Sequence, residues 1–179
     1  MYGMVNQAIK QMVLEKHDEA TWNVIVNKAK LDVHDFSPYY QYKDEITGTL
    51  ILTIADHIQV QPQELLESFG EYWIEFARKS EYGLIFDSFA SSPVSLIESL
   101  NTLHSRTELL FPHLNPPKFS VDHISDGHIL VHYSSERDLP LEHFVIGLMK
   151  GIFKLFNQPC SVEWLPGTGD VRATFRIKF

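Results

Sequence analysis

The sequence predicts an α+β fold, with a helical amino-terminal lobe and a carboxy-terminal lobe that combines an antiparallel sheet with helices. Apolar residues recur at helical spacing before Pro117, the period changes to that of strands after it, and one more helical stretch divides the strands. We expect one domain over residues 1–179, with a helical part over about 1–60 and a second part over about 61–179.

Helices are expected through most of the chain before Pro117. Val5, Ile9 and Met12 recur at the spacing of one helix face, and Asp18 is a suitable cap for a following helix. The expected helices are residues 2–17, a segment capped by Asp18, residues 44–58, a helix that Pro62 begins, residues 82–90, and a helix that Ser92 and Pro93 open and Pro112 ends.

Two pairs of strands are expected after Pro117. Their apolar residues alternate with polar ones, and each pair is divided by a segment rich in turn-forming residues. The expected strands are residues 118–124, 128–136, 160–165 and 171–178, with turns at 125–127 and 167–170 and a helix over 139–156.

Charge and composition exclude several classes of protein. With 15 Lys and Arg against 23 Asp and Glu, the net charge of −8 argues against a general nucleic-acid binder. The single cysteine, Cys160, cannot form an internal disulfide or a thiolate zinc cluster. No apolar run approaches the roughly 20 residues of a membrane span, and the polar amino terminus is unlike a signal peptide. We expect a cytoplasmic protein that binds neither membranes nor nucleic acid.

His104 differs from the other histidines because it lies in the middle of an apolar helical stripe that includes Leu100 and Phe111. A neutral imidazole there could present one nitrogen to a pocket, as a metal ligand does, while the other nitrogen finds a partner. From position alone, a hydrogen-bonded core histidine is the more common situation. The stripe therefore makes His104 a candidate iron ligand only.

The segment Tyr133–Arg137 places three donors at the end of an expected strand. Because side chains alternate across a strand, Tyr133, Ser135 and Arg137 would share one face with apolar residues before them. A planar guanidinium and two hydroxyl groups at the edge of an apolar surface suit the carboxylates of a bound haem. An ordinary polar strand end would show the same spacing.

Several motifs together resemble a known family. The segments MYGMVNQAI, FGEYW, LHSRTELLFPHLNPP, YSSER and VIGL are similar to the haem nitric oxide/oxygen binding (H-NOX) domain, the haem domain of soluble guanylate cyclase and its bacterial relatives. The resemblance spans essentially the whole chain, and Tyr-x-Ser-x-Arg is its most diagnostic element. It implies a single H-NOX domain of the stand-alone bacterial type, with haem b between the two lobes.

The resemblance also implies a role for individual residues. His104 matches the axial iron ligand, and Pro117 matches a proline that presses on the haem and distorts it. The residues implied to hold the propionates are Tyr133, Ser135 and Arg137. The residues implied to line the distal pocket are Val5, Ile9, Trp73, Phe144 and Leu148.

The expected gas follows from the distal residue Phe144, which matches a tyrosine in relatives that bind oxygen stably. Bound oxygen gains from a hydrogen-bond donor, which phenylalanine lacks, whereas nitric oxide and carbon monoxide need little help. We therefore expect a sensor of nitric oxide, and of carbon monoxide, at ferrous haem that excludes oxygen. Trp73 carries an indole N–H, so an oxygen-binding sensor stays an alternative.

The resemblance implies a signal and a partner. Gas binding breaks the iron–His104 bond, and a signalling protein such as a histidine kinase or a cyclic-di-GMP enzyme reads the change. An apolar distal side without an acid–base pair argues against a haem enzyme, so we expect no catalysis. A metal-binding module built on His123, His128 and His132 is a weaker alternative.

Overall fold

The computed structural model describes residues 1–80, 83–89, 91–109, 111 and 114–179. Its helices are α1 Gly3–Lys16, α2 Glu19–Ala29, α3 Asp44–Ile58, α4 Pro62–Lys79, α5 Gly83–Asp87, α6 Pro93–Glu98, α7 Leu100–Glu108 and α8 Glu142–Leu155. Its strands are β1 Lys118–Ser125, β2 His128–Ser134, β3 Ser161–Pro166 and β4 Ala173–Lys178. The α+β prediction is confirmed, since within the described residues seven helices precede the strands and α8 divides them.

The four strands form one antiparallel sheet in the order β1-β2-β4-β3. Alternate residues of β2 are buried against the helices, and Ile129, Val131 and Tyr133 are at most 1% exposed. Tyr133 lies opposite Phe119 of β1 and Ala173 of β4. The end of β2 that carries Tyr133 therefore faces the interior of the protein.

Buried side chains form two clusters, which we call the helical core and the sheet core. The helical core joins α1, α2 and α3 with Leu65 and Phe69 of α4. The sheet core joins α6, α8 and the sheet with Ile74, which is also on α4. Because α4 contributes to both cores and packs closely against α8, it fixes how the two cores are placed relative to each other.

One predicted helix is divided in the structure, and one predicted strand is shorter than expected. The helix expected from Ser92 onward is bent at Ser99, which ends α6 and precedes α7. Pro112, its expected end, and parts of the short helix expected over 82–90 lie outside the described residues. The strand expected over 128–136 ends at Ser134, because β1 pairs only as far as Lys118 and β4 only as far as Ala173.

Within the described residues, no helix combines the length and the apolar character that a membrane crossing requires.

Candidate functional site

A largely apolar cavity of about 230 Å³ lies where the two cores meet. Its walls come from α1, α3 and α4 on the side of the helical core, and from α7, β1, β2 and α8 on the side of the sheet core. Nine of the ten predicted site residues line it: Val5, Trp73, His104, Pro117, Tyr133, Ser135, Arg137, Phe144 and Leu148. The fold thus brings together side chains that are widely separated in the sequence.

Ile9 is the exception among the predicted site residues. It is fully buried in the helical core and is not part of the cavity wall. Val5, one helical turn earlier on α1, does line the cavity. The contact of Ile9 with the distal pocket therefore stays a prediction, and in this structure Ile9 packs in the helical core.

His104 lines this apolar space. Its Nδ1 is buried and has no hydrogen-bond partner among the described residues. Burial lowers the pKa of His104, and the backbone of Pro117 opposes this shift more weakly without making a hydrogen bond of normal geometry. The imidazole is therefore held in its neutral form, which is the form that binds a metal.

Asn101 fastens the helix that carries His104 to the sheet. Its side-chain Nδ2 donates to the carbonyl oxygen of Phe119 at 2.7 Å, and its Oδ1 accepts from the Phe119 backbone N–H at 3.0 Å. Both bonds join α7 to β1, two residues after Pro117. Sequence reasoning missed Asn101, although its position one helical turn before His104 was the available signal.

The polar end of the cavity is formed by Tyr133, Ser135 and Arg137. Tyr133 is 1% exposed, and burial raises the pKa of its hydroxyl, while a hydrogen bond with Ser135 and the charges of Arg172 and Arg137 oppose that shift. Ser135 Oγ also accepts from the Arg137 backbone N–H at 3.2 Å. Ser135 and Arg137 follow the end of β2 at Ser134, so they lie outside the strand that carries Tyr133.

Arg137 already binds a carboxylate. Its Nη1 donates to both oxygens of Asp44, at 3.0 and 2.8 Å, and its Nη2 donates to the Leu114 carbonyl oxygen at 2.9 Å. Asp44 begins α3, so this ion pair joins the two cores at the mouth of the cavity. Asp44 was not predicted, because an acidic residue in the first turn of a helix is common for other reasons.

Acid is expected to weaken this link between the cores. Burial alone would raise the pKa of Asp44, but hydrogen bonds from the amino-terminal ammonium group and from Arg137 outweigh it and hold the pKa below the ordinary 3.8. Because the folded-state pKa is lowered, the stabilisation is complete above 3.8 and is lost as the pH falls through the lowered value.

Asp44→Asn should accordingly cost about 1–2 kcal/mol at neutral pH and make the free energy of unfolding less sensitive to acid. This loss of stability is smaller than the loss expected for a fully buried ion pair, because the Asp44 side chain is 31% exposed. Urea unfolding followed by circular dichroism across the acid range measures both effects. Asp35→Asn is the control, since Asp35 forms an exposed ion pair with Lys10. An equal loss in both variants would contradict this reasoning.

The distal wall is built from aromatic and aliphatic side chains of α4 and α8. The ring of Phe144 lies 5.2 Å from that of Phe69 and 6.3 Å from that of Trp73. Leu148, one turn further along α8, completes this wall. Thr47 adds a hydroxyl to the lining, but that hydroxyl donates to Asn6 Oδ1 at 2.7 Å.

The chemistry of this lining fits a haem. Apolar walls suit the faces of a porphyrin, a neutral histidine in the lining suits its iron, and a hydroxyl–guanidinium cluster suits its carboxylate tails. Arg137 carries five N–H donors, and its bonds to Asp44 and Leu114 leave donors on Nε and Nη2 without a partner among the described residues.

Residues 2–164 match the family model described as haem-NO-binding, HNOB. The chain belongs to the HNOB family. This family consists of haem-based gas sensors, and its H-NOX domains are sensor domains rather than catalytic domains. The resemblance to H-NOX domains expected from the sequence is thereby confirmed.

Curated relatives of this HNOB chain are much longer proteins. It is 26% identical over 166 residues to soluble guanylate cyclase gcy-31 of Caenorhabditis elegans, covering 92% of this chain and 24% of the relative. It is 34% identical over 113 residues to the soluble guanylate cyclase subunit beta-2 of Rattus norvegicus, covering 63% of this chain and 16% of the relative. The chain thus spans about a quarter or less of these relatives, both of which are named as guanylate cyclases.

Solved structures share the fold of this HNOB chain throughout. The H-NOX protein from S. oneidensis in the Fe(II)NO state superimposes with a TM-score of 0.88 at 19% identity, covering 99% of this chain and 98% of that one. The unliganded Fe(II) H-NOX protein from K. algicida gives a TM-score of 0.84 at 19% identity, covering 99% and 96%. At such low identity the likeness shows the fold alone.

Proposed function

We propose that this protein senses nitric oxide, and carbon monoxide, through a bound ferrous haem b, with His104 as the axial ligand. Its signal is the release of His104 from the iron. The single observation that carries the proposal is a neutral His104 in the lining of an apolar cavity that also contains the carboxylate-binding donors Tyr133, Ser135 and Arg137.

Different residues of the cavity hold different parts of the cofactor. His104 supplies the bond to iron, while Tyr133, Ser135 and Arg137 bind the propionates. Pro117, which also lines the cavity, would contact the bound ring. The haem itself supplies the ferrous iron that takes up the gas.

Selectivity for nitric oxide over oxygen rests on the apolar distal wall. Val5, Phe144 and Leu148 carry no donor. The indole of Trp73 packs among aromatic rings, with its centre 6.2 Å from Phe69 and 5.7 Å from Phe76. A donor to bound oxygen would add about 1.5–3 kcal/mol. Without that hydrogen bond, the affinity for oxygen stays low, whereas the affinity for nitric oxide is unaffected.

The weak burial of α7 favours a signal that starts at His104. No side chain of α7 is fully buried, Leu100 and Leu103 pack only partly buried against the sheet core, and Asn101 clamps the helix to β1. Release of His104 would leave α7 free to move at low cost. The change is read by a signalling protein in the cytoplasm, such as a histidine kinase or a cyclic-di-GMP enzyme.

Absorption spectroscopy of the purified chain tests this proposal. We expect red protein with bound haem b, a five-coordinate ferrous spectrum that stays unchanged in air, and a five-coordinate spectrum after nitric oxide is added. Protein that takes up no porphyrin would refute haem sensing, and a stable oxygen complex in air would refute the selectivity.

An oxygen-binding sensor is the second candidate, favoured by two donors near the distal wall. These are the indole N–H of Trp73 and Asn6 Nδ2, which is buried beside Thr47 without a hydrogen-bond partner among the described residues. If either reached the gas, removing it would weaken oxygen binding. Trp73→Phe and Asn6→Leu, each assayed for oxygen affinity, separate this candidate from the first.

Phe144→Tyr is expected to raise oxygen affinity by about ten- to a hundredfold, the value of one hydrogen bond to a charged acceptor. The phenol would enter the distal wall at the place where the ring of Phe144 meets Phe69 and Trp73. Oxygen titration of the ferrous protein measures the change. Phe144→Leu serves as the control, since it alters the ring without adding a donor, and a similar change in both variants would exclude a hydrogen bond as the cause.

The metal-module alternative finds no support. His123 pairs with Glu98 at 2.7 Å, and His132 pairs with Asp122 at 3.0 Å and Thr174 at 2.9 Å. Among the residues placed by the structure, no three His, Cys, Asp or Glu side chains form a group that could hold a metal ion.

A further inference from the structure

We propose that Arg172 is a positioning residue that holds the propionate-binding loop and the first turn of α8 in one fixed arrangement. This inference rests on the proposed function, because it assigns Arg172 a role at the same haem site. Arg172 itself is not part of the cavity lining.

The guanidinium of Arg172 makes hydrogen bonds to two residues of the loop after β2 and to one residue in the first turn of α8. Its Nη1 donates to the carbonyl oxygen of Arg137, and its Nη2 donates to the carbonyl oxygen of Leu139 at 3.2 Å. Its Nε donates to Glu142 Oε1 at 2.5 Å. These bonds fasten residues 137–142, which connect the Arg137 side chain to the start of α8.

The backbone of Arg172 binds the same site from the other side. Its N–H donates to the carbonyl oxygen of Tyr133 at 2.8 Å, where β2 ends. One residue thus holds the strand end that carries Tyr133 and the loop that carries Arg137. Because neither Ser135 nor Arg137 lies in a strand, the sheet alone does not fix their positions.

The contact of Arg172 with Glu142 also positions the start of α8, the helix that contributes to the distal wall. Glu142 is in the first turn of α8, and the Glu142 side chain is 18% exposed. Phe144 follows it by two residues, and Leu141 precedes it in the cavity wall. Arg172 therefore sets the propionate donors and the gas-contacting residue relative to each other.

Arginine is required for this arrangement, and lysine cannot replace it. The planar guanidinium directs donors to three acceptors at once, whereas an ammonium group is a single point of charge at the end of a flexible chain. Arg172→Lys keeps the charge opposite Glu142 but loses the fork, so it separates positioning from charge. Arg176→Lys is the matched control, since Arg176 lies on β4 and pairs with Glu163 at 2.8 Å on the surface.

The experiment compares haem with its dimethyl ester, whose propionates carry no charge. The ferric full-length protein is loaded with each porphyrin, and transfer to excess apomyoglobin gives the rate of loss. We expect Arg172→Lys to lose haem about tenfold faster than wild type, a change equal to about 1.4 kcal/mol, and Arg176→Lys to match wild type. With the dimethyl ester, all three proteins should lose the porphyrin at similar rates.

Each other outcome has a distinct meaning. Faster loss of both porphyrins from Arg172→Lys, with normal circular dichroism, would mean a general structural role and overturn the inference. Unchanged loss of haem would overturn it as well, while leaving the proposed function intact. Wild-type protein that takes up neither porphyrin would overturn the proposed function and this inference together. Arg172→Gln repeats the comparison if the lysine variant fails to fold.

Discussion

Replacing His104 by alanine is expected to abolish stable haem retention. The substitution removes the only predicted bond between the protein and iron, and it leaves an apolar space with no donor in its place. Retention would then depend on Tyr133, Ser135 and Arg137, which also line the cavity. The loss should exceed that of any propionate-site variant, because a coordinate bond is stronger than a hydrogen bond.

Absorption spectra after haem reconstitution and gel filtration measure this loss. Added imidazole should restore part of the bound haem by occupying the space of the missing side chain. His128→Ala is the matched control, since His128 also has a buried nitrogen without a partner among the described residues but lies outside the cavity. A His-ligated spectrum that persists in His104→Ala would show that another residue binds the iron.

Gly147→Ala is expected to destabilise the protein by at least about 3 kcal/mol. A Cβ at this position would lie 1.9 Å from the Glu67 carbonyl oxygen and 2.8 Å from the Glu67 carbonyl carbon. Both atoms belong to the backbone of α4, which cannot give way as a flexible side chain would. The two helices would have to move apart along their closest contact, which Gly70 makes from the other side.

Urea unfolding of the variant and of Gly48→Ala tests this expectation. Gly48 lies within α3, where the new Cβ would meet only the Leu139 side chain at 3.1 Å. Alanine favours a helix over glycine by up to about 1 kcal/mol, so that variant should be neutral or slightly stabilised. A small effect at Gly147 would mean that α4 and α8 can separate easily.

The close approach of α4 and α8 also shapes the site. Trp73 and Phe69 belong to one helix, and Phe144 and Leu148 to the other. Any separation at Gly147 would widen the distal wall between these side chains. We therefore expect Gly147→Ala to change the spectrum of bound carbon monoxide as well as the stability of the fold.

Much of this arrangement could be predicted because it depends on residues that are close in sequence. The spacing of apolar residues within one helix or strand indicates which way each side chain points from that element. This holds for the helical stripe around His104, for the alternation that buries Tyr133 and for the apolar face of α8. The family motifs then brought His104, Tyr133 and Arg137 into one site, and the cavity contains all three.

The amino-acid sequence by itself determined the α+β class, the succession of elements and nine of the residues around the cavity. Only the tertiary structure decided that Ile9 lies in the helical core, that Asp44 forms an ion pair with Arg137 and that Arg172 binds the loop before α8. The bonds of Arg137 to Asp44 and of Arg172 to residues 137–142 join segments 30 or more residues apart. Periodicity describes the direction of a side chain within one element, whereas such contacts depend on how separate elements pack.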